Sequence, residues 1–154
     1  MARPFGGERL GEELDRIRAE GVDVVVSLLE PLEEVVLELR GEGAACAAAG
    51  VELLRFPVRD HDVPQSPDAV IEIGRQISAR LDAKKAVAIH CYAGIGRSSL
   101  LAAAVLILRG MRAEDAFAKI SHARGVLVPD TIEQRNWIAT FELKQRSDNP
   151  RREP

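Results

Sequence analysis

One continuous stretch of the chain, Ala86–Gly110, restricts the possible folds more than any other. It opens with Ala86–Ile89, a short apolar and β-prone run that is typical of a buried parallel strand. It closes with Ser98–Leu108, whose apolar run is too uniform for a surface helix and much too short for a membrane span. We therefore predict a buried strand that is followed, after a short loop, by a helix in the core.

The loop between this strand and this helix has the composition of an anion-binding site. It reads CYAGIGR, with Cys91 and Arg97 at its ends, and Gly94 and Gly96 allow a tight backbone turn. Loop amides and the first amides of the helix point into one concavity, which a dianionic phosphate fits. We expect these amides to stabilise a nucleophilic Cys91 thiolate near neutral pH, while the planar guanidinium of Arg97 grips two phosphate oxygens.

Residues 90–99, HCYAGIGRSS, resemble the phosphate-binding loop of the cysteine-dependent protein tyrosine phosphatase superfamily. That loop has the pattern His, Cys, five residues, Arg, and then Ser or Thr. The flanking residues are most similar to the compact dual-specificity phosphatase branch, in its kinase-associated-phosphatase-like form. The resemblance implies that Cys91 is the catalytic nucleophile and that the phosphate is bound by Tyr92, Ala93, Gly94, Ile95, Gly96 and Arg97.

Two other residues of this motif, Ser98 and His90, each have both a catalytic and a structural interpretation. The resemblance implies that the Ser98 hydroxyl lies near the sulfur and assists breakdown of a phosphocysteine, but a serine at this place is also a common helix cap. The resemblance likewise gives His90 a supporting role in orienting the loop. A histidine at the end of an apolar strand is otherwise most often a core residue that bonds to the backbone.

A second chemical element, FPVRDHDVP over Phe56–Pro64, follows a predicted strand and supplies carboxylates. Hydrolysis of a phosphate ester needs a general acid that protonates the departing oxygen. The superfamily's acid loop resembles Pro, two residues, Asp, three residues, Pro, which selects Asp60 as the acid. Asp62 is the alternative, and both side chains are able to reach the substrate if the loop closes. Solvated turn residues are the ordinary interpretation of such a pair.

Two further residues are assigned by weaker signals. Gln134 occupies the place where related dual-specificity enzymes have a glutamine that orients the hydrolytic water, although it also fits a helix-capping box begun by Asp130 or Thr131. Cys46 offers a redox partner for Cys91, but a small buried hydrophobe in an alanine-rich helix is the simpler interpretation.

The remaining pattern predicts an α/β fold. Apolar β-prone runs at Val22–Leu29 and Val51–Phe56 alternate with helical patterns. We expect a central, mostly parallel sheet of four to five strands, flanked by helices on both faces, with the phosphatase-type phosphate-binding loop between the last core strand and a buried helix. Residues 1–146 then form a single phosphatase domain, and residues 147–154, which are polar and proline-bearing, form a flexible tail.

Charge and cysteine content limit the partners and the compartment. The net charge of -3 argues against nucleic acid or an acidic membrane as a partner. Two cysteines and no apolar signal segment indicate a cytoplasmic protein. We expect no cofactor and no metal, because Arg97 and the loop amides neutralise the phosphate and the histidines lack metal-ligand spacing. The oligomeric state is not predicted.

These observations predict a metal-independent phosphate monoester hydrolase that acts on phosphorylated proteins or peptides through a phosphocysteine intermediate. The loop interior AGIG carries no lysine, unlike the phosphoinositide-directed branch, so the expected substrate is protein phosphotyrosine, alone or together with phosphoserine and phosphothreonine. Metabolite phosphates are the alternative substrates. Two alternatives come from other classes: a rhodanese-like sulfurtransferase, which also uses a loop cysteine before a helix, and a non-catalytic phosphoprotein-binding module, which keeps the cradle without turnover.

Overall fold

The computed structural model describes residues 1–148, in which three strands alternate with helices. The strands are β1 (Val24–Ser27), β2 (Glu52–Arg55) and β3 (Val87–His90). A short 3-10 helix (Gly7–Arg9) precedes the α-helices, which are α1 (Leu10–Ala19), α2 (Pro31–Val36), α3 (Glu42–Ala48), α4 (Pro67–Asp82), α5 (Arg97–Leu108), α6 (Ala113–Arg124) and α7 (Ile132–Asp148).

The three strands form one parallel sheet in the order β2-β1-β3. The prediction of a parallel sheet is confirmed, but four to five strands is wrong for residues 1–148, because these residues contain only the three β-prone runs. The N-terminal segment approaches the end of β3, where the Arg3 amide donates to the Tyr92 carbonyl at 3.3 Å. It does not continue as a strand, since Pro4 has no amide hydrogen to donate.

Side chains of the central strand alternate between two cores, as the two-residue period of a strand requires. Val26 packs into the larger core with α4, α5, α6 and α7, whereas Val25 packs into the smaller core with α1 and α3. Helix α5 lies within the larger core, as its apolar sequence predicts, and both Leu100 and Leu101 are almost fully buried. The sheet is therefore covered by helices on both faces.

The parallel arrangement brings three loops to one edge of the sheet. Ser27 pairs laterally with both Arg55 and His90, so the chain leaves all three strands at the same level. The segments that follow lead into α2, into the FPVRDHDVP loop and into the phosphate-binding loop. Ligands of open parallel sheets bind at this edge, outside the carboxyl ends of the strands.

The last helix is longer than the sequence pattern indicates. Helix α7 continues to Asp148 and so includes Ser147, which the sequence prediction placed in a flexible tail. The rest of that predicted tail, 149–154, lies outside the described residues. None of the helices within residues 1–148 combines the length and the apolar character needed to cross a bilayer.

Cys46 is a buried residue of the smaller core, as its alanine-rich surroundings indicate. It belongs to a different hydrophobic cluster from Cys91, and both cysteines are free thiols. Burial raises the pKa of the Cys46 thiol to about 11, and the nearby carboxylate of Glu42 adds to the increase. The raised pKa makes Cys46 a poor nucleophile at neutral pH.

This raised pKa makes the stability of the fold depend on pH. Between the ordinary thiol pKa of about 8.5 and the folded value, the unfolded chain loses the Cys46 proton while the folded chain keeps it. We therefore expect the free energy of unfolding to fall as the pH rises through this window, and Cys46→Ala to remove that part of the decrease. Urea titrations of both proteins between pH 8 and pH 10 measure it, and parallel pH dependences would contradict the assignment.

Candidate active site

The candidate nucleophile, Cys91, directly follows β3 and its side chain is buried at the floor of the phosphate-binding loop. Its Sγ accepts a hydrogen bond from the Gly94 amide at 3.3 Å and lies 3.5 Å from Ser98 Oγ. A hydroxyl at that distance can donate to a thiolate. Helix α5 begins at Arg97 and is capped at Gly96, so the interpretation of Ser98 as a helix cap is wrong.

The backbone conformation of Gly94 and one hydrogen bond from Arg124 hold the loop in its curved shape. Gly94 has a φ of +75°, and a Cβ built there would lie 2.2 Å from the carbonyl carbon of Met1, so the position excludes larger residues. The Gly94 carbonyl accepts a hydrogen bond from Arg124 Nη1 at 2.7 Å. This contact links the end of α6 to the loop.

The guanidinium of Arg97 is almost fully buried and contacts the two other segments that follow strands at this sheet edge. Its Nη1 and Nη2 donate to the two carboxylate oxygens of Glu33, at 2.7 and 2.8 Å, and Nη1 also donates to the Val58 carbonyl at 2.9 Å. Nη2 lies 2.8 Å from Asp60 Oδ1. Nε has no partner among residues 1–148.

These contacts shift two pKa values. Burial alone lowers the pKa of Arg97, but the hydrogen bonds and charge of Glu33, with the charge of Asp60, raise it above its ordinary value. Burial alone raises the pKa of Glu33, but hydrogen bonds from Arg97 and from the Glu30 amide lower it below its ordinary value. Both groups are therefore held in their charged forms at neutral pH.

The two candidate acids are placed differently. Asp60 borders the cavity above Cys91, whereas Asp62 Oδ1 accepts a hydrogen bond from the next amide of its own loop, Val63 N, at 2.8 Å. His61 lies between the two, with a φ of +57°, and its Nδ1 is 3.2 Å from Asp130 Oδ2. This geometry favours Asp60 over Asp62 as the group that reaches a bound substrate.

Gln134 forms the predicted capping box and also borders the cavity above Cys91. The Gln134 amide donates to Thr131 Oγ1 at 3.1 Å and Gln134 Oε1 accepts from the Thr131 amide at 3.4 Å, which is a capping box. The side chain is buried, and its Nε2 donates to the Asp62 carbonyl at 3.3 Å. It also lines the cavity above Cys91. Gln134 therefore ties the FPVRDHDVP loop to α7.

His90 is fully buried, and its Nε2 lies 2.8 Å from Oε1 of the equally buried Glu42. The sequence analysis identified neither Glu42 nor Glu33. The available signal for Glu33 was its place after β1, at the sheet edge where Cys91 follows β3. No local pattern marks Glu42, because its partner lies 48 residues further along the chain.

A small cavity of about 180 Å³ lies above Cys91. Its walls are formed by Asp60, His61, Cys91, Tyr92, Ala93, Gly96, Arg97, Asp130 and Gln134. A larger cavity of about 520 Å³ between α4 and the end of α5 contains none of the site residues, so size alone does not locate the site. Residues 1–148 hold no cluster of three or more His, Cys, Asp or Glu suited to a metal, and the metal-free mechanism stays a prediction.

Comparisons with known proteins identify a family that this chain resembles. Residues 1–111 match the model of the Tc-R-P family, described as a polymorphic toxin system DSP-PTPase phosphatase. A probable protein tyrosine phosphatase type IVA A of Dictyostelium discoideum is 32% identical over 103 residues, which are 65% of this chain and 60% of that protein. The chain thus spans less than two thirds of that relative.

Two solved structures share the fold. The active form of Tk-PTP is 32% identical with a TM-score of 0.74, and the match covers 87% of this chain and 86% of that one. Kinase-associated phosphatase with its catalytic cysteine replaced by serine has a TM-score of 0.81 at 20% identity, with coverage of 93% and 84%. The chain therefore belongs to the Tc-R-P family of DSP-PTPase phosphatases, which are compact dual-specificity members of the cysteine-dependent protein tyrosine phosphatase superfamily.

Proposed function

We propose that the protein hydrolyses phosphate monoesters on phosphorylated proteins through a phosphocysteine at Cys91. One observation supports this most strongly: Cys91, Arg97 and Asp60 line one cavity together with the loop residues Tyr92, Ala93 and Gly96, and the Gly94 amide donates to the Cys91 sulfur. A thiolate, an anion cradle and an adjacent acid are the groups that phosphoryl transfer to sulfur requires.

The edges of the Arg97 guanidinium indicate how the phosphate binds. Glu33 occupies the edge formed by Nη1 and Nη2, while on the other edge Nε is unpartnered among residues 1–148 and Nη2 faces Asp60. A phosphate can take Nε and Nη2 as a two-pronged donor if Asp60 moves away. Glu33 then stays and orients the guanidinium.

Charge balance favours this exchange. Before the substrate binds, two carboxylates face one guanidinium, so a phosphate dianion adds further negative charge. Displacement of Asp60 from Arg97 relieves the repulsion and frees the Asp60 carboxyl group for proton transfer to the ester oxygen. The same event therefore seats the phosphate and prepares the acid that the reaction needs.

The proposed chemistry has two steps. The Cys91 thiolate attacks phosphorus, the sulfur–phosphorus bond forms, the bond to the ester oxygen breaks, and Asp60 transfers its proton to that oxygen. Arg97 and the loop amides hold the three equatorial oxygens as charge spreads over them. A water molecule, deprotonated by Asp60, then attacks the phosphocysteine and releases inorganic phosphate, while Ser98 stabilises the departing sulfur and Gln134 orients the water.

Phosphotyrosine and phosphoserine or phosphothreonine in proteins are the proposed substrates. The cavity is small, and no lysine lies in the loop interior. The net charge of -3 supports a phosphoprotein partner rather than nucleic acid or an anionic membrane. Two free cysteines support a reducing, cytoplasmic environment. The presence of both Cys91 and Asp60 favours turnover over a binding module, and Asp60 with Ser98 favours phosphatase over sulfurtransferase chemistry.

A single assay separates these functions. Hydrolysis of 4-nitrophenyl phosphate in the presence of a chelator should be measured for the wild type and for Cys91→Ser, with and without vanadate, beside persulfide formation from thiosulfate. We expect turnover in chelator, inhibition by vanadate and no turnover by a folded Cys91→Ser protein. Persulfide formation without ester hydrolysis would identify a sulfurtransferase, and a fully active Cys91→Ser protein would refute the mechanism.

The assignment of the acid gives a separate prediction. Asp60→Ala should slow hydrolysis of a phosphothreonine peptide by about 100-fold or more, because an alkoxide leaves slowly without a proton. Hydrolysis of 4-nitrophenyl phosphate, whose leaving group is stable as an anion, should slow by less than about tenfold. Asp62→Ala is the matched control and should change both rates by less than about threefold. Equal effects of Asp60→Ala on the two substrates would exclude it as the acid.

A further inference from the structure

Glu42 is a fully buried carboxylate that the proposed chemistry does not use. It lies in the first turn of α3, and its Oε1 is 2.8 Å from Nε2 of His90, which is also fully buried. Glu42 does not line the cavity above Cys91. Among residues 1–148, its carboxylate pairs with His90, the residue that precedes Cys91.

Stability does not explain this pair. Burying a carboxylate is unfavourable by several kcal/mol before its partner compensates, and an apolar side chain of similar volume often serves the fold as well or better. Glu42 Oε2 and His90 Nδ1 have no hydrogen-bond partner among residues 1–148, and neither does Oγ of Ser27, the lateral neighbour of His90 on β1. Unpaired polar atoms that are buried beside a candidate nucleophile indicate a functional reason for keeping them.

The backbone of His90 shows what the pair can control. The His90 carbonyl accepts a hydrogen bond from the Leu28 amide at 3.0 Å, and the next residue is Cys91. The peptide that presents the sulfur is therefore held from β1 through the backbone and from α3 through the side chain. An ionised carboxylate can only accept a hydrogen bond, so an ionised Glu42 requires the hydrogen on Nε2 and fixes the orientation of the ring.

We propose that Glu42 is a positioning residue for the phosphatase reaction, acting through the His90 ring to hold Cys91 and the start of its loop in the reactive geometry. The inference rests on the proposed function. It places a determinant of activity on α3, on the opposite face of the sheet from α5. Because small displacements of a reacting group have large kinetic effects, loss of the contact should lower kcat more than it weakens substrate binding.

Five variants test this role with 4-nitrophenyl phosphate as substrate. Glu42→Leu removes the acceptor but keeps an apolar volume, and Glu42→Gln keeps a carbonyl acceptor for Nε2. Cys46→Ala is the matched control, since Cys46 is buried one turn further along the same helix. His90→Leu, alone and combined with Glu42→Leu, shows whether the two residues act together. Urea denaturation measures the folded fraction to which each kcat is referred.

We expect Glu42→Leu to lower kcat by about 10- to 100-fold with KM changed less than about threefold. Glu42→Gln should keep kcat within about threefold of the wild type, and Cys46→Ala should lose stability without losing kcat. In the His90→Leu background, Glu42→Leu should cause no further loss. If Glu42→Leu does not fold, Glu42→Asp, which withdraws the carboxylate from Nε2, carries the same expectation.

The outcomes separate this inference from the proposed function. Activity in the wild type, none in Cys91→Ser and an unchanged kcat in folded Glu42→Leu would overturn the positioning role and leave the phosphatase assignment intact. Additive losses from Glu42→Leu and His90→Leu would overturn it as well. An inactive wild type, or an active Cys91→Ser protein, would instead contradict the proposed function itself.

Discussion

The ion pairs of one buried guanidinium organise the carboxyl edge of the sheet. Arg97 comes from the loop after β3 and contacts Glu33 from the segment after β1 and Asp60 from the segment after β2. It also donates to the Val58 carbonyl beside Asp60. A buried cation is tolerated only where partners surround it, so the three loops depend on a common side chain for their arrangement.

The two carboxylates on Arg97 differ in a way that suits different roles. The Glu33 side chain is 19% exposed and makes a two-oxygen contact, whereas the Asp60 side chain is 51% exposed and contributes one oxygen to Nη2. An exposed single contact is easily exchanged for a ligand, while a paired and partly buried one is not. The structure thus contains a fixed partner and a replaceable partner for the same cation. On the opposite face of the sheet, a third carboxylate, Glu42, pairs with the side chain of His90, the residue before Cys91.

The local sequence predicted the features that depend on residues adjacent in the chain. The strand, loop and core helix from Ala86 to Gly110 were predictable because an apolar run, two glycines and a helix start lie next to one another. The prediction that Asp60 is the acid depended on the family resemblance, because two aspartates in a turn have no local signature of catalysis. The helix cap at Ser98 was wrong because the backbone already becomes helical at Arg97.

The sequence did not predict the contacts between residues that are far apart along the chain. Glu33 lies 64 residues before Arg97 and Glu42 lies 48 residues before His90, while Arg124 reaches Gly94 from 30 residues away. Such long-range contacts depend on where whole helices and strands lie in the fold, and sequence periodicity and spacing do not specify those positions. The predicted strand count was also wrong, because residues 1–148 form only three strands, one from each β-prone run.

The proposed mechanism requires Asp60 to leave Arg97 when phosphate binds, while Glu33 remains in place. A crystal structure of Cys91→Ser with inorganic phosphate in the cavity measures this directly. We expect phosphate oxygens on Nε and Nη2 of Arg97, Asp60 beyond hydrogen-bond distance of Nη2, and both Glu33 contacts retained. Bound phosphate with Asp60 still 2.8 Å from Nη2, or with Glu33 displaced instead, would contradict it.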